Sequence, residues 1–320
     1  MACSHYLTLR MKNKKTNLRM IKIGGGLLAG ILAPGLAFGC ACGCGIFDVA
    51  TSSMFPEGSG GTAFINYDYQ NQNRNWSGTS SAPGSNNRDK KIETSFLTPG
   101  LQYMFTRSWG AQIELPVMNR TFDSAGNAGP VNWTGLGDIR LKGIYTGFSE
   151  DLSAGMTFGL KLPTGSYTHD PSEVDRDTQL GSGSTDVLLG GFYRHDLYSG
   201  SHWQWFVQGE LDVPTLIQGD YRPGIEGDTA AGIDYQGWNW GHARIAPIAQ
   251  VIGALRGRDN GAAASPDNSG YQRILLAPGL EVNLHPFKFY ADVEVPVYQN
   301  MTGNQLVAPA LFKLNVSYMF

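Results

Sequence analysis

The chain has 320 residues, of which 16% are charged and 11% aromatic, with 42 glycines and a formal net charge of −3. Residues 1–39 hold six of the 24 Lys and Arg and none of the 27 acids, so the remainder sets 18 cations against 27 acids and is a poor partner for nucleic acid. Beyond residue 40 no apolar run approaches the roughly 20 residues of a membrane-spanning helix. A low-charge, glycine- and aromatic-rich chain without such a run fits an all-β protein with a lipid-facing surface.

Lys12, Lys14, Lys15, Arg19 and Lys22 precede an apolar stretch over residues 23–38, and Ala37-Phe38-Gly39 has the small-x-small form of a cleavage site. Residues 1–39 are therefore expected to be a signal peptide. A start at Met11 or Met20 would give a more usual leader length. Residues 40–61 then form a periplasmic N-terminal segment carrying Cys40, Cys42 and Cys44. Three thiols at this spacing suit a soft metal ion, a strained disulfide or an unpaired tail. Gly39-Cys40 is also a possible lipidation site, with the usual Leu displaced to Leu36. The segment could dock a periplasmic partner, and no cofactor is expected.

Alternation with a period of two, the mark of a strand with one apolar face, recurs from Gly60 onward. It runs through Ile65 and Tyr67; Leu101 and Tyr103; Trp109, Ile113 and Val117; and Ile139 and Leu141. It continues through Met156, Phe158 and Leu160; Val187 and Leu189; Trp203, Trp205 and Val207; and, more weakly, residues 230–235. Residues 243–251, then Leu276 and Leu280, then Phe289, Val293 and Val295 follow, and Leu311 to Phe320 complete about twelve strands. Connections alternate in length. Long polar ones cover 71–91, 119–135, 164–184, 214–229, 256–270 and 299–309, and short ones 106–108, 147–151, 197–202, 236–240 and 285–287. Long loops on one rim and tight turns on the other predict an antiparallel up-and-down transmembrane β-barrel over residues 62–320, with both mature termini at the short-turn, periplasmic rim. Aromatics such as Tyr103, Trp109, Tyr145, Tyr193, Trp238 and Tyr318 gather near the short turns, as an interfacial girdle would.

Pro116, Pro163, Pro214 and Pro296 each follow Leu or Val and are expected to end strands before long loops, because proline cannot donate to a ladder. Pro99 and Pro278 fall inside strands and predict bulges or kinks. Opposite the apolar face lie Glu114, Asp138, Arg140, Lys142, Lys161, Arg194, Glu210, Asp212, Glu281, Asp292 and Glu294. A charge facing lipid near the midplane costs about 2–4 kcal/mol, so these are expected to line the lumen. Either a basic and an acidic arc face each other across it, favouring polar or ionic solutes, or salt bridges close it. His169 and Asp170, beside Glu173, Asp175 and Asp177, read as a solvated loop, a cation site or, least, a catalytic pair. No enzyme activity is expected.

Phe312, Leu314, Val316, Tyr318 and the terminal Phe320 alternate with Lys313, Asn315 and Ser317. This ending resembles the closing strand of bacterial outer-membrane β-barrels, where it is the signal read by the insertion machinery. The architecture also resembles porin-like outer-membrane transporters and, loosely, the MetA-pathway-of-phenol-degradation family. The resemblance implies passive passage of small solutes, possibly aromatic acids, through an outer membrane. A structural or partner-binding barrel is the alternative, with an outer-membrane hydrolase behind it.

Overall fold

The computed structural model describes residues 55–56, 58–84 and 87–320. The expected leader, Cys40, Cys42 and Cys44 lie outside them. The strands are β1 (Gly60–Gln72), β2 (Arg74–Gly78), β3 (Ser80–Ser81), β4 (Asp89–Met104), β5 (Trp109–Glu114), β6 (Val117–Ser124), β7 (Val131–Leu136), β8 (Ile139–Tyr145), β9 (Ala154–Leu162), β10 (Ser184–Asp196), β11 (Trp203–Ile217), β12 (Glu226–Tyr235), β13 (Trp238–Trp240), β14 (Ala243–Arg256), β15 (Tyr271–Leu284), β16 (Phe287–Val307) and β17 (Leu311–Met319). β5 with β6, and β7 with β8, are each one interrupted stave, and β2, β3 and β13 are short rim ribbons. The wall therefore has twelve antiparallel staves.

The ring closes where β1 meets β17, from Thr62↔Met319 to Gln70↔Leu311. Gly61 N donates to Phe320 O at 2.7 Å and Phe320 N to Gly61 O at 2.9 Å, so the last residue seals the seam. Closure leaves no stave with an unpaired edge, the condition for a sheet to sit in hydrocarbon.

Burial is inside out. In β17, Phe312, Leu314 and Val316 are 43–49% exposed, whereas Lys313, Asn315 and Ser317 are at most 1% exposed. Ile65, Leu101, Leu141, Phe158, Leu189 and Leu280 repeat the outward pattern around the ring. An apolar belt of this extent far exceeds what a soluble monomer exposes and fits lipid contact.

The two rims sort as expected, but four of the long loops are shorter, the 214–229 connection among them at 218–225. β6 and β7 run to residues 124 and 131, leaving a connection of 125–130, and β16 continues to Val307. Beyond the wall β16 pairs with β2, from Met301↔Gly78 to Val307↔Arg74, so much of 71–91 and 299–309 is strand. Hydrogen bonds found outside the lipid zone make this extension possible despite polar composition.

Proline ends a stave only at Pro163. β11 passes through Pro214 and β16 through Pro296. Each proline sits at a bulge that absorbs the missing N–H. The register steps from Thr185↔Leu216 to Asp186↔Pro214, and from Ile274↔Tyr298 to Leu275↔Pro296. In β16 the step reverses the faces: Lys288 to Glu294 point inward at even numbers, and Gln299 and Met301 at odd ones. Pro116 interrupts its stave rather than ending it, and its carbonyl still accepts from Gly137 N at 2.7 Å. At Pro99 the ladder lapses between Leu97↔Val117 and Gly100↔Glu114 without changing register, so there is no bulge at this proline.

The interior is not uniformly polar. Toward the long-loop rim Ile92, Phe96, Met118, Phe122, Trp133, Leu275 and Leu306 form a buried apolar cluster. Val174 and Leu180, from the 163–183 connection, belong to it. That connection is therefore folded into the barrel, correcting the expectation of a solvated loop. Burying each large apolar side chain contributes about 1.5–3 kcal/mol, enough to hold the loop inward.

Candidate functional site: a divided lumen

The interruption between β7 and β8 places Asp138 as an extra residue between Leu136 and Ile139. Its carboxylate turns inward and grips both ends of the infolded loop. Oδ1 accepts from Gly165 N at 3.0 Å, and Oδ2 from Ser182 N at 2.7 Å and Ser182 Oγ at 2.5 Å. Arg120 of β6 reaches the same loop, donating from Nη1 to Thr178 O at 2.6 Å and Gln179 O at 3.0 Å. Arg176 lies between the rings of Tyr167 and Tyr221, at 4.8 and 4.3 Å. Burial raises the Asp175 carboxyl to about 6, against the opposing charge of Arg88, and it pushes Asp177 well above the usual carboxylate range.

Below this loop is a cavity of about 260 Å³. One side is ionic. Lys142 Nζ lies 2.7 Å from Glu210 Oε2 and 3.8 Å from Glu114 Oε2, and Arg140 Nη1 lies 3.3 Å from Glu210 Oε1. Lys161 Nζ is 2.5 Å from Asp212 Oδ2 and also contacts Asp186. Three cations thus meet four carboxylates within one arc of the wall. Phe96, Met118, Ile144, Leu180 and Phe192 supply apolar lining.

The opposite wall is likewise paired within itself. Lys313, wholly buried, stands in register between Asp292 and Asp68. Gln250 Nε2 donates to Asp292 Oδ2 at 3.1 Å, and Tyr290 Oη donates to the same oxygen at 2.5 Å. Of the two arrangements expected, opposed arcs or salt bridges, the charges here are paired within each arc. Desolvation explains this, since an unpaired charge in a narrow lumen is costly.

A second cavity of about 430 Å³ opens toward the short-turn rim and is lined by Arg194, Asp234, Arg244, Glu281 and Lys288. Of the residues expected in the lumen, Glu114, Arg140, Lys142, Lys161, Glu210 and Asp212 border the first cavity, and Arg194 and Glu281 the second. Asp292 and Glu294 border neither, being buried in the wall beside β17.

His169 stacks on Trp133 with ring centroids 5.0 Å apart and planes 12° apart. Gln179 holds its backbone from both sides, accepting from His169 N and donating to His169 O, each at 2.8 Å. This histidine is a packing element of the infolded loop. Among the described residues no three His, Cys, Asp or Glu side chains are placed to hold a metal ion.

Sequence reasoning missed the gripping role of Asp138 and the placement of Phe55 between the two cavities. The first had a faint signal, a Gly137-Asp138 step where alternation breaks. The second had none.

A closed ring of staves, apolar outside and charged inside, defines an outer-membrane β-barrel. No family model matches the chain, and no curated protein matches its sequence. Among solved structures its fold is similar to that of an outer-membrane channel from Pseudomonas putida F1, with a TM-score of 0.63 at 15% identity over 85% of this chain and 100% of that one. It is also similar to the beta domain of the Bordetella autotransporter BrkA, with a TM-score of 0.52 at 14% identity over 82% of this chain and 100% of that one. At these identities the likeness is one of fold.

Proposed function

We propose that this barrel is a passive outer-membrane channel for small polar or ionic solutes. The supporting observation is a cavity inside the ring whose charged side chains are held in fixed pairs beside an apolar face. Glu114, Arg140, Lys142, Lys161, Glu210 and Asp212 line the route in its upper part, and Arg194 and Glu281 in its lower part, while Asp292 and Glu294 stand in the wall outside both cavities. Paired charges offer a solute replacement hydrogen bonds without a deep electrostatic trap, which suits passage rather than storage. Phe312, Leu314, Val316, Tyr318 and Phe320 serve as the insertion signal.

A second reading is a structural or partner-binding barrel. The infolded 163–183 loop favours it, because it packs into the long-loop end of the lumen. Single-channel recording and liposome swelling with a panel of sugars and organic acids separate the two. Discrete conductance steps and solute-dependent swelling support the channel. A correctly folded barrel with neither supports the second reading.

A further inference from the structure

Arg194 of β10 and Arg244 of β14 both line the cavity at the short-turn rim, with β11 and β12 between their staves. They differ from the cations of the first cavity. Arg140, Lys142 and Lys161 each meet a carboxylate within 4.0 Å. Among the described residues Arg194 and Arg244 meet none. Arg194 uses Nη2 on Pro56 O at 3.1 Å. Arg244 makes no hydrogen bond to a described residue, and its Nε is shut off from solvent without an acceptor. A guanidinium carries five N–H donors, so most of this pair's donors are open. Elsewhere in the lumen desolvated charges are paired, and these two stand out as lacking an anion.

The surroundings select the anion. The cavity, of about 430 Å³, has the size of a small-molecule site, roughly 300–1,000 Å³. Phe206, buried on the inner face of β11, gives it an apolar wall. Asp151, Asp196, Asp234 and Glu281 border it as well. Three of these carboxylates have donors of their own. Asp151 Oδ1 accepts from Ser153 N at 3.0 Å, Asp196 Oδ1 from Gln204 Nε2 at 3.0 Å, and Asp234 Oδ1 from Gln236 Nε2. Asp234 lies in the field of both guanidiniums without forming an ion pair with either. Fixed negative charges around the cavity repel a doubly charged solute more than a singly charged one. A carboxylate offers two acceptor oxygens at the spacing of the guanidinium fork.

We propose that Arg194 and Arg244 form a binding site for small monocarboxylates at the short-turn mouth of the lumen, with the carboxylate between the two guanidiniums and the apolar end of the acid against Phe206. The site deepens the channel reading and rests on it for transport, but binding itself rests on the cavity alone.

Isothermal titration with sodium butyrate tests the site, on full-length protein in detergent at low ionic strength and pH 8, with folding checked by heat-modifiable gel mobility. The wild type should bind butyrate saturably and inorganic phosphate, mostly a dianion at this pH, several-fold more weakly. Arg244→Met and Arg194→Met should each weaken butyrate binding on the order of tenfold, the scale of a lost charge-assisted hydrogen bond. Should one of them fail to fold, the other carries the test. Arg258→Met removes the same charge from an exposed side chain in the 257–270 loop and should bind like the wild type. Absence of saturable butyrate binding overturns the site. So does an equal loss in Arg244→Met and Arg258→Met, or phosphate binding tighter than butyrate. Butyrate binding without conductance in planar bilayers supports the site and removes the channel reading, whereas conductance without butyrate binding does the reverse.

Discussion

Replacing Lys161 with Met tests the paired-charge lumen directly. Lys161 Nζ lies 2.5 Å from Asp212 and also contacts Asp186, which is fully buried. Methionine keeps most of the side-chain volume but leaves two carboxylates on adjacent staves with their main cation gone. Breaking a buried ion pair from one side costs about 3–5 kcal/mol, a factor of roughly 10² to 10³ or more in the folding equilibrium. Reversible urea unfolding in phospholipid vesicles, followed by the fluorescence of the seven tryptophans, would read this loss. Lys161→Met with Asp186→Asn should recover a large part of it, because one of the stranded charges is removed. The same variant leaves two cations against four carboxylates on that arc, so the reversal potential in a salt gradient should move toward cation preference. A stability loss below about 1 kcal/mol, the scale of a solvated surface pair, would refute the reasoning.

Three other outcomes follow from the geometry. Asp138→Ala removes the acceptor for Gly165 N, Ser182 N and Ser182 Oγ, at about 1–3 kcal/mol for each donor left buried; the 163–183 loop should become protease-sensitive while the barrel stays intact on gels. The raised carboxyl of Asp175, at about 6 against an ordinary value near 4, binds its proton more tightly in the infolded loop than in a released one. Loop stability is thus fully present at low pH and is lost as pH rises through about 6, by up to about 3 kcal/mol; Asp177 acts in the same direction, and hydrogen exchange over 163–183 at pH 4.5 and 7 should show protection falling. Deleting Phe320 removes both bonds to Gly61 and the terminal aromatic, so the heat-modifiable fraction recovered from outer membranes should fall several-fold; unchanged recovery would argue against its role in closure and insertion.

Much of the wall was legible because a lipid-facing strand leaves a strong period-two trace. Phe312 to Val316 and Met156 to Leu160 lie with their faces as the alternation implied. The upper interior was harder to read. Ile92, Phe122 and Leu275 are apolar residues pointing inward, and periodicity cannot tell an inward apolar residue from an outward one unless its neighbours are charged. The infolded loop was read as solvent-exposed because its polar groups satisfy Asp138 and Arg120 rather than water. Local composition looks the same in both cases, and only the register of distant staves brings these partners together. Period two set the charged residues on the face turned away from lipid, but it named no partners. Lys161 and Asp212 are 51 positions apart and meet across two intervening stave boundaries.

The extra residue in β16 at Pro296–Tyr298 has a consequence for how such a chain can change over evolutionary time. Above that point the code that assigns residues to lipid or to water is read in the opposite phase. A single deletion at the bulge would heal the ladder and leave Gln299 and Met301 facing inward, whereas a single deletion elsewhere in the stave would turn over the residues between it and the bulge. A single-residue loss in this stave is therefore tolerable at the bulge, and other length changes only in steps of two.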